Sequence, residues 1–297
     1  MKLATFTHDG NRRIGVVDGE EIVDLAAAAA GVPTDMRSFL QAGQPALEAA
    51  AAAATAGGHR IARADVKLEA PVPDPRKFIG IGANYAAHLA EVNQPPVERG
   101  GPPLGFIFTK QNSCVNGPYD PIHMPRVSSQ LDYEGELGMV IGRRCRHVPK
   151  ERAAEVIAGY VVANDVSVRD QATGAFSFTL TKSFDTHGPF GPWIVTADEV
   201  GDPNNLELRT WVSGEERQHA NTKDMVHDCY DLIATLSAVF TLEPGDVIAT
   251  GTPSGVAIGF DPPKFLKVGD VVRVEIERIG VIENRVIAEP EETARID

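Results

Sequence analysis

The segment Asp132-Tyr133-Glu134-Gly135-Glu136-Leu137-Gly138-Met139-Val140 decides how the main part of the chain folds. Successive side chains of a β-strand point to opposite faces, so a strand here places Glu134 and Glu136 on the same face. Leu137 and Met139 then lie on the opposite, apolar face. Because two neighbouring carboxylates repel each other unless they share a proton or a cation, the segment predicts a strand with either a solvated acidic face or a bound cation.

A third carboxylate, Asp165, follows the apolar segment 158–164. Two glutamates and one aspartate form an all-oxygen ligand set, which suits Mg²⁺, Mn²⁺ or Ca²⁺ better than zinc or copper. Three protein ligands on an octahedral ion leave about three positions for water and substrate. The sequence therefore favours an open metal site on Glu134, Glu136 and Asp165.

Two further features carry possible chemistry. His88 and Glu91 are three residues apart, so on a helical turn they lie within hydrogen-bonding reach of each other. A carboxylate that orients an imidazole forms a general base able to activate water, although exposed pairs of this kind are common and contribute little energy. Lys182 could stabilise negative charge on a substrate oxygen, whereas a lone lysine more often faces solvent. His187 lies in a turn rich in proline and glycine, which favours a structural role.

The chain divides at the proline-rich segment 71–75, which has the composition of a linker. Residues 1–70 predict a small N-terminal α+β domain with three short strands and two or three alanine-rich helices. Residues 75–290 contain many short β-type runs but only two long helices, at 151–158 and from Asn221 or Thr222 to about Phe240. This α+β, mainly β pattern does not suit a doubly wound nucleotide-binding fold.

Composition limits the partners that the protein can bind. The chain has 28 Lys and Arg against 41 Asp and Glu, a net charge of −13, which argues against nucleic acid and anionic membranes. An anionic substrate requires a metal ion or local Lys and Arg to reverse the sign of the field. The three cysteines predict free thiols in a reducing cytosol. With neither a secretory signal nor an apolar run of about 20 residues, we expect a cytoplasmic protein.

Six motifs resemble the fumarylacetoacetate hydrolase family in order and spacing, over roughly residues 75–290. Each is weak alone, but six in sequence are specific. They are Ile79-Gly80-Ile81-Gly82-Ala83-Asn84-Tyr85 with His88 and Glu91, Asp132 to Leu137, Asn164-Asp165-Val166-Ser167 with Arg169-Asp170, Thr181 to Asp185, Arg217-Gln218 with Asn221-Thr222, and Pro244 to Pro253.

The resemblance implies a catalytic domain of mixed β-roll or β-sandwich type, usually a homodimer, with Mg²⁺ or Mn²⁺ on the three carboxylates. It implies that His88 and Glu91 lie on a short lid helix that orders over the substrate and that Lys182 supports an oxyanion. The same resemblance implies that Thr252, with Arg169 or Gln171, positions the substrate acid.

The chain resembles the shorter, acylpyruvate hydrolase-like branch of the family. It carries Ile81 where larger members have a fourth carboxylate, and its candidate catalytic Glu91 follows the histidine. The function that we predict is metal-dependent cleavage of a C–C bond in a small 1,3-diketo acid, through a metal-bound enolate. Oxaloacetate decarboxylation and isomerisation of an unsaturated 2-keto acid remain alternatives, and a non-catalytic, metal-stabilised binding protein is a third. We expect residues 93–103 to select the distal substituent of the substrate.

Overall fold

The computed structural model describes residues 1–95, 106–170, 177–293 and 296. The strands are β1 (Lys2–His8), β2 (Asn11–Asp18), β3 (Glu21–Asp24), β4 (Arg60–Ala62), β5 (Lys67–Leu68), β6 (Phe78–Gly82), β7 (Phe106–Lys110), β8 (Val115–Asn116), β9 (Ile122–Met124), β10 (Leu131–Asp132), β11 (Gly135–Ile141), β12 (Ile157–Asn164), β13 (Ser167–Val168), β14 (Gly188–Thr196), β15 (Glu207–Val212), β16 (Glu215–Asn221), β17 (Val247–Ala249), β18 (Val271–Ile276) and β19 (Gly280–Ala288). The helices are α1 (Leu25–Ala28), α2 (Met36–Ala42), α3 (Gln44–Ala56), α4 (Ala86–Glu91), α5 (Phe178–Lys182), α6 (Ala197–Val200) and α7 (Cys229–Val239).

Two large sheets form most of the molecule. The 12-stranded sheet has the order β4-β3-β2-β1-β14-β12-β11-β17-β6-β7, with β5 and β8 paired at its side. The 5-stranded sheet has the order β16-β15-β18-β19-β9, and its strands β15, β18 and β19 contact β11, β12 and β14 of the larger sheet. This sheet-on-sheet packing confirms the mainly β, α+β class.

The predicted alternation along β11 is present. Leu137 and Met139 belong to the larger apolar core, and Val140 belongs to a second core on the other side. Gly135 lets the two sheets approach closely, since a Cβ there would lie 2.2 Å from Thr210 Oγ1. The buried strand thus keeps its acidic and apolar positions apart, as the sequence predicts.

The N-terminal strands and helices form as expected, but their sheet continues into the rest of the chain through β1 and β14. Lys2 pairs with Val195 and Leu3 with Ile194. Helices α2 and α3 bury one face each in the second core, where small alanines such as Ala50 permit close packing. Residues 1–70 and 75–290 thus contribute strands to one continuous sheet. Their division into two domains stays a prediction.

Both helices predicted in the C-terminal part need correction. The segment Lys150–Val156 is a 3₁₀ helix, and β12 begins at Ile157. Asn221 caps only the 3₁₀ turn Thr222–Asp224. Helix α7 begins later, where Asp228 accepts hydrogen bonds from the N–H groups of its first turn.

Two smaller expectations can be compared with the structure. All three cysteines are free thiols, and Cys114 and Cys229 are buried. None of the described helices combines the length and the apolar character that crossing a membrane requires.

Candidate active site

Three buried carboxylates meet where β11 begins and β12 ends. The two strands are antiparallel, with Gly135 opposite Asn164, so Glu134 and Glu136 come next to Asp165. The backbone fixes this junction, because the Asp165 N–H donates to the Glu134 carbonyl at 2.8 Å and the Glu134 N–H donates to the Asn164 side chain at 3.0 Å. One carboxylate oxygen from each residue lies within 4.8 Å of the others.

Three buried or nearly buried cations surround these carboxylates. Lys182 Nζ donates to Glu134 at 2.6 Å and to Asp165 at 2.7 Å. Lys110 Nζ lies 2.5 Å from the other Asp165 oxygen. Arg169 donates to Glu134 at 2.6 Å and to the buried Asp132 at 2.8 Å. Lys182 is thus buried between two carboxylates. The interpretation of Lys182 as a lone lysine that faces solvent is wrong.

Glu136 is the carboxylate that lacks a cationic partner. It forms no ion pair within the described part of the chain, although its carboxylate accepts a hydrogen bond of 2.7 Å from the Gly251 N–H. Burial raises the pKa of Glu136 well above its usual range, and the negative Asp165 and Glu134 raise it further. Burial also acts on Glu134, but Lys182 and Arg169 outweigh it and lower the pKa of Glu134 to about 2.

The donor set fits a divalent metal ion of the Mg²⁺ or Mn²⁺ type. Hard oxygen ligands on Glu134, Glu136 and Asp165 are what these ions prefer. A buried carboxylate without a counter-charge is costly, and a bound cation would remove that cost for Glu136. The residues that would hold the ion are therefore the three that the sequence singled out.

His88 and Glu91 lie on α4, close to the carboxylates. His88 Nδ1 is 3.4 Å from Glu91 Oε2, and both side chains are largely buried. The Gly255 N–H donates to both Glu91 oxygens, at 2.9 and 3.0 Å. Gly255 has a φ of +100°, and a Cβ there would lie 1.9 Å from the Arg217 carbonyl oxygen, so only glycine suits this position. Glu91 is thereby fixed and can orient the imidazole.

A cavity of about 470 Å³ joins these groups. Its lining includes His88, Glu134, Lys182, Arg169 and Thr252, and its remaining lining is mainly apolar. The structure thus brings together most of the predicted site residues. Gln171 lies outside the described residues, as do residues 96–103 of the segment 93–103 that we expect to select the distal substituent, so both predictions are untested.

The Thr252 hydroxyl already has two partners. It donates to the Gly135 carbonyl at 3.0 Å and accepts a hydrogen bond from Gln218 at 2.8 Å. Because a hydroxyl donates only one hydrogen bond, its predicted contact with the substrate carboxylate would require its proton to turn away from the Gly135 carbonyl. That role stays a prediction.

Sequence reasoning missed three buried polar residues that hold the site together. Lys110 shares one strand face with Phe106 and Phe108, so a period-of-two pattern could have found it. Asp132 accepts hydrogen bonds from the Ala257 and Ile258 N–H groups as well as from Arg169, and Asn84 ties the start of α4 to residues 227 and 250. Their partners are distant in sequence, which hides their roles.

Two family models match separate parts of the chain. A family model described as "Fumarylacetoacetate (FAA) hydrolase C-terminal" matches residues 77–287, and one described as "Rv2993c-like, N-terminal" matches residues 1–71. A mitochondrial oxaloacetate tautomerase of Xenopus laevis is 43% identical over 97% of this chain and 90% of the relative.

Two solved structures have the same fold over almost their whole length. Maleylpyruvate hydrolase from Sphingobium sp. SYK-6, in complex with manganese(II) ion and pyruvate, is 37% identical with a TM-score of 0.79, covering 98% of this chain and 100% of that one. A 2-hydroxyhepta-2,4-diene-1,7-dioate isomerase from Mycobacterium marinum is 34% identical with a TM-score of 0.75, again covering 98% and 100%.

Proposed function

This chain belongs to the fumarylacetoacetate hydrolase family, and we propose that it hydrolyses a C–C bond in a small 1,3-diketo acid of the acylpyruvate type. The observation that carries the proposal is His88, which pairs with Glu91 and lines a cavity whose wall also includes Glu134 and Lys182. A histidine oriented by a fixed carboxylate is what the activation of water requires. Tautomerisation or decarboxylation makes no such demand for a water molecule.

A divalent cation on Glu134, Glu136 and Asp165 would supply Lewis acidity toward the oxygens of the 2-keto acid. Arg169 and Lys182 add positive charge on the same side of the cavity. The keto acid end of the substrate therefore lies against this group, and the distal carbonyl lies toward α4. Within this arrangement the ammonium group of Lys182 stabilises negative charge that develops on a substrate oxygen.

His88 moves the protons in this scheme. Its Nδ1 faces Glu91, so its Nε2 takes a proton from a water molecule whose oxygen attacks the distal carbonyl carbon. The bond between that carbon and the central methylene breaks, and the electron pair passes to the pyruvate half as an enolate. Transfer of the proton from His88 to the methylene carbon then gives one carboxylic acid and pyruvate.

The test is the loss of enol ultraviolet absorbance for acetylpyruvate, with Mg²⁺, with Mn²⁺ and with EDTA, together with direct measurement of pyruvate. We expect cleavage that depends on the metal and falls at least about a hundredfold in His88→Ala. His219→Ala is a matched control, because His219 also pairs with a glutamate, Glu207 at 2.9 Å, but on the exposed face of β16. Full acetylpyruvate cleavage by His88→Ala, abolished by EDTA, would exclude this mechanism.

A second candidate is keto–enol tautomerisation of oxaloacetate, which the name of the Xenopus laevis relative favours. His88 would then move a proton between carbon and oxygen without activating water. The two reactions differ in product, since tautomerisation leaves the carbon skeleton intact and releases no pyruvate. Loss of the oxaloacetate enol without release of pyruvate, and without acetylpyruvate cleavage, would select this second function.

We propose that the protein is a homodimer. We also propose that it binds a small keto acid rather than nucleic acid or a membrane. The acidic composition supports the second part, because phosphate binding requires a basic surface. Light scattering of the purified protein tests the first part. A monomer that keeps full activity would contradict it.

A further inference from the structure

We propose that the distal part of the cavity selects substrates whose far end is uncharged and apolar, and that Phe106, Phe108 and Phe178 form the subsite that holds it. We call these three residues the aromatic subsite. The inference rests on the proposed function, because that function places the keto acid end against the carboxylates. It adds the class of substituent, which the reaction itself leaves open.

The aromatic subsite begins at the carboxylate cluster and leads away from it. Lys182 Nζ, which bridges Glu134 and Asp165, lies 5.3 Å from the centre of the Phe108 ring. The Phe178 ring centre lies 5.8 Å from that of Phe108 and 5.7 Å from that of Phe106. A substrate anchored at the carboxylates therefore meets these three rings in succession.

Exposure of the rings increases along the same path. Phe108 is nearly buried, whereas Phe106 and Phe178 are 42% and 44% exposed although both line the cavity. Large aromatic rings are rarely left in water without a binding role when they are grouped, and each gains free energy when a ligand covers it. The outer end of the subsite is thus suited to an alkyl or aryl group.

The charges of the cavity also favour an uncharged group at the far end of the substrate. Among the described lining residues the permanent cations are Arg169 and Lys182, and each already pairs with two carboxylates. Both lie at the carboxylate end, and the described residues place no lysine or arginine beside the outer rings. With respect to the described residues, a carboxylate at the far end of a substrate would lose its hydration there without gaining an ion pair.

The size of the cavity is consistent with a substituent larger than a methyl group. Its volume of about 470 Å³ lies in the range of roughly 300–1,000 Å³ that is usual for sites of drug-sized ligands. Acetylpyruvate alone would leave the aromatic subsite uncovered. A longer acyl group would reach it, with a gain of about fourfold in affinity for each methylene that becomes buried.

The test measures binding without turnover, so that its result does not depend on which reaction occurs. Calorimetric titration of the Mn²⁺-loaded protein compares pyruvate, 2-oxohexanoate, 2-oxooctanoate and 2-oxoadipate. We expect affinity to rise by about tenfold or more from pyruvate to 2-oxooctanoate. We expect 2-oxoadipate to bind about tenfold more weakly than 2-oxohexanoate, which has the same carbon chain without the far carboxylate.

Variants on α5 locate the effect. Phe178→Ala is expected to lower the affinity for 2-oxooctanoate by about tenfold and to change that for pyruvate by less than about twofold. Leu180→Ala is the matched control, since Leu180 is on the same helix and 70% exposed but does not line the cavity. Phe178→Arg places a cation at the far end and is expected to reverse the preference toward 2-oxoadipate.

The failures of the two proposals are distinguishable. If pyruvate binds but affinity does not rise with chain length, or if 2-oxoadipate binds best, the aromatic subsite is refuted and the hydrolase proposal stands. If chain length raises affinity and no acylpyruvate is cleaved, the hydrolase proposal fails and the subsite stands. Absence of binding by every 2-oxo acid overturns both.

Discussion

Replacing Glu136 by glutamine is expected to stabilise the metal-free protein while it removes metal binding. The glutamine keeps the shape of the side chain and can still accept a hydrogen bond from the Gly251 N–H, which is 2.7 Å from Glu136. It removes a buried negative charge that burial, Asp165 and Glu134 all disfavour, as the raised pKa of Glu136 indicates. Relief of that repulsion should outweigh the weakening of this hydrogen bond when its acceptor becomes a neutral amide.

The gain has an upper limit that follows from the ordinary pKa of a glutamate, 4.5. At pH 7 a folded protein can always avoid the charge by keeping the group protonated, which costs about 1.4 kcal/mol for each pH unit above that pKa, or about 3 kcal/mol. We therefore expect Glu136→Gln to add about 1–3 kcal/mol in EDTA. The direction of the pKa shift also fixes the pH dependence. Because the pKa of Glu136 is higher in the folded than in the unfolded state, the stability of the wild type falls as pH rises above about 4.5. The variant should lack this fall.

Glu134→Gln is the matched control, because it makes the same change two residues away. Lys182 and Arg169 overcome the effect of burial and lower the pKa of Glu134 to about 2, so its charge stabilises the fold at neutral pH by about 3 kcal/mol at most. Thermal unfolding in EDTA should give a higher Tm for Glu136→Gln and a lower one for Glu134→Gln. Added Mn²⁺ should raise the Tm of the wild type alone.

Two results would refute this reasoning. A lower Tm for Glu136→Gln in EDTA would mean that the Glu136 charge is satisfied without a metal ion. An undiminished Tm increase with Mn²⁺ in both variants would mean that the ion binds elsewhere. Glu134→Gln also separates a catalytic from a non-catalytic protein. A non-catalytic role predicts lost thermal stability with no activity to lose, whereas an open catalytic metal site predicts lost turnover.

Three further outcomes are expected. Burial lowers the pKa of His187 to about 4, so the unfolded chain takes up a proton at a higher pH than the folded protein does. The free energy of unfolding therefore falls by up to about 3 kcal/mol as pH drops from 6.5 through 4. In acid unfolding, His187→Gln should lack this pH dependence. Gly251→Ala should cost about 1–3 kcal/mol and weaken Mn²⁺ binding in a titration, because φ is +104° and the new Cβ would lie 2.7 Å from Asn84 Cβ. Asn84→Ala should lower the free energy of unfolding by about 2–4 kcal/mol in urea, since its side chain makes three buried hydrogen bonds.

Local patterns were sufficient wherever neighbours in sequence decide the structure. The alternation of residues 134–140 predicts which side chains of β11 face the carboxylate cluster, and the structure has that arrangement. Pro45 lies in the first turn of α3 and Gly57 ends it in the left-handed conformation, as those residue types favour. In both cases the deciding contacts lie within a few residues.

The start of α7 could not be predicted in the same way. Asn221 has the residue type of a helix cap and does cap a turn, but the chain then leaves the helical path. The N–H groups of Val226 and His227 donate to the Asn84 carbonyl and side chain, which lie more than 140 residues earlier in sequence. Because these bonds replace those of a continuous helix, α7 starts only at Cys229, and no local signal contains that information.

The charge balance of the site links the sequence to the substrate. A chain with a net charge of −13 repels a keto acid unless its site reverses the field. In the buried cluster that would hold the metal ion, the formal charges of Lys110, Lys182 and Arg169 are outnumbered by one carboxylate when Asp132 is counted with the three metal-site residues. A divalent ion turns that negative balance into a positive one of the same size, which matches the single carboxylate of a 2-keto acid.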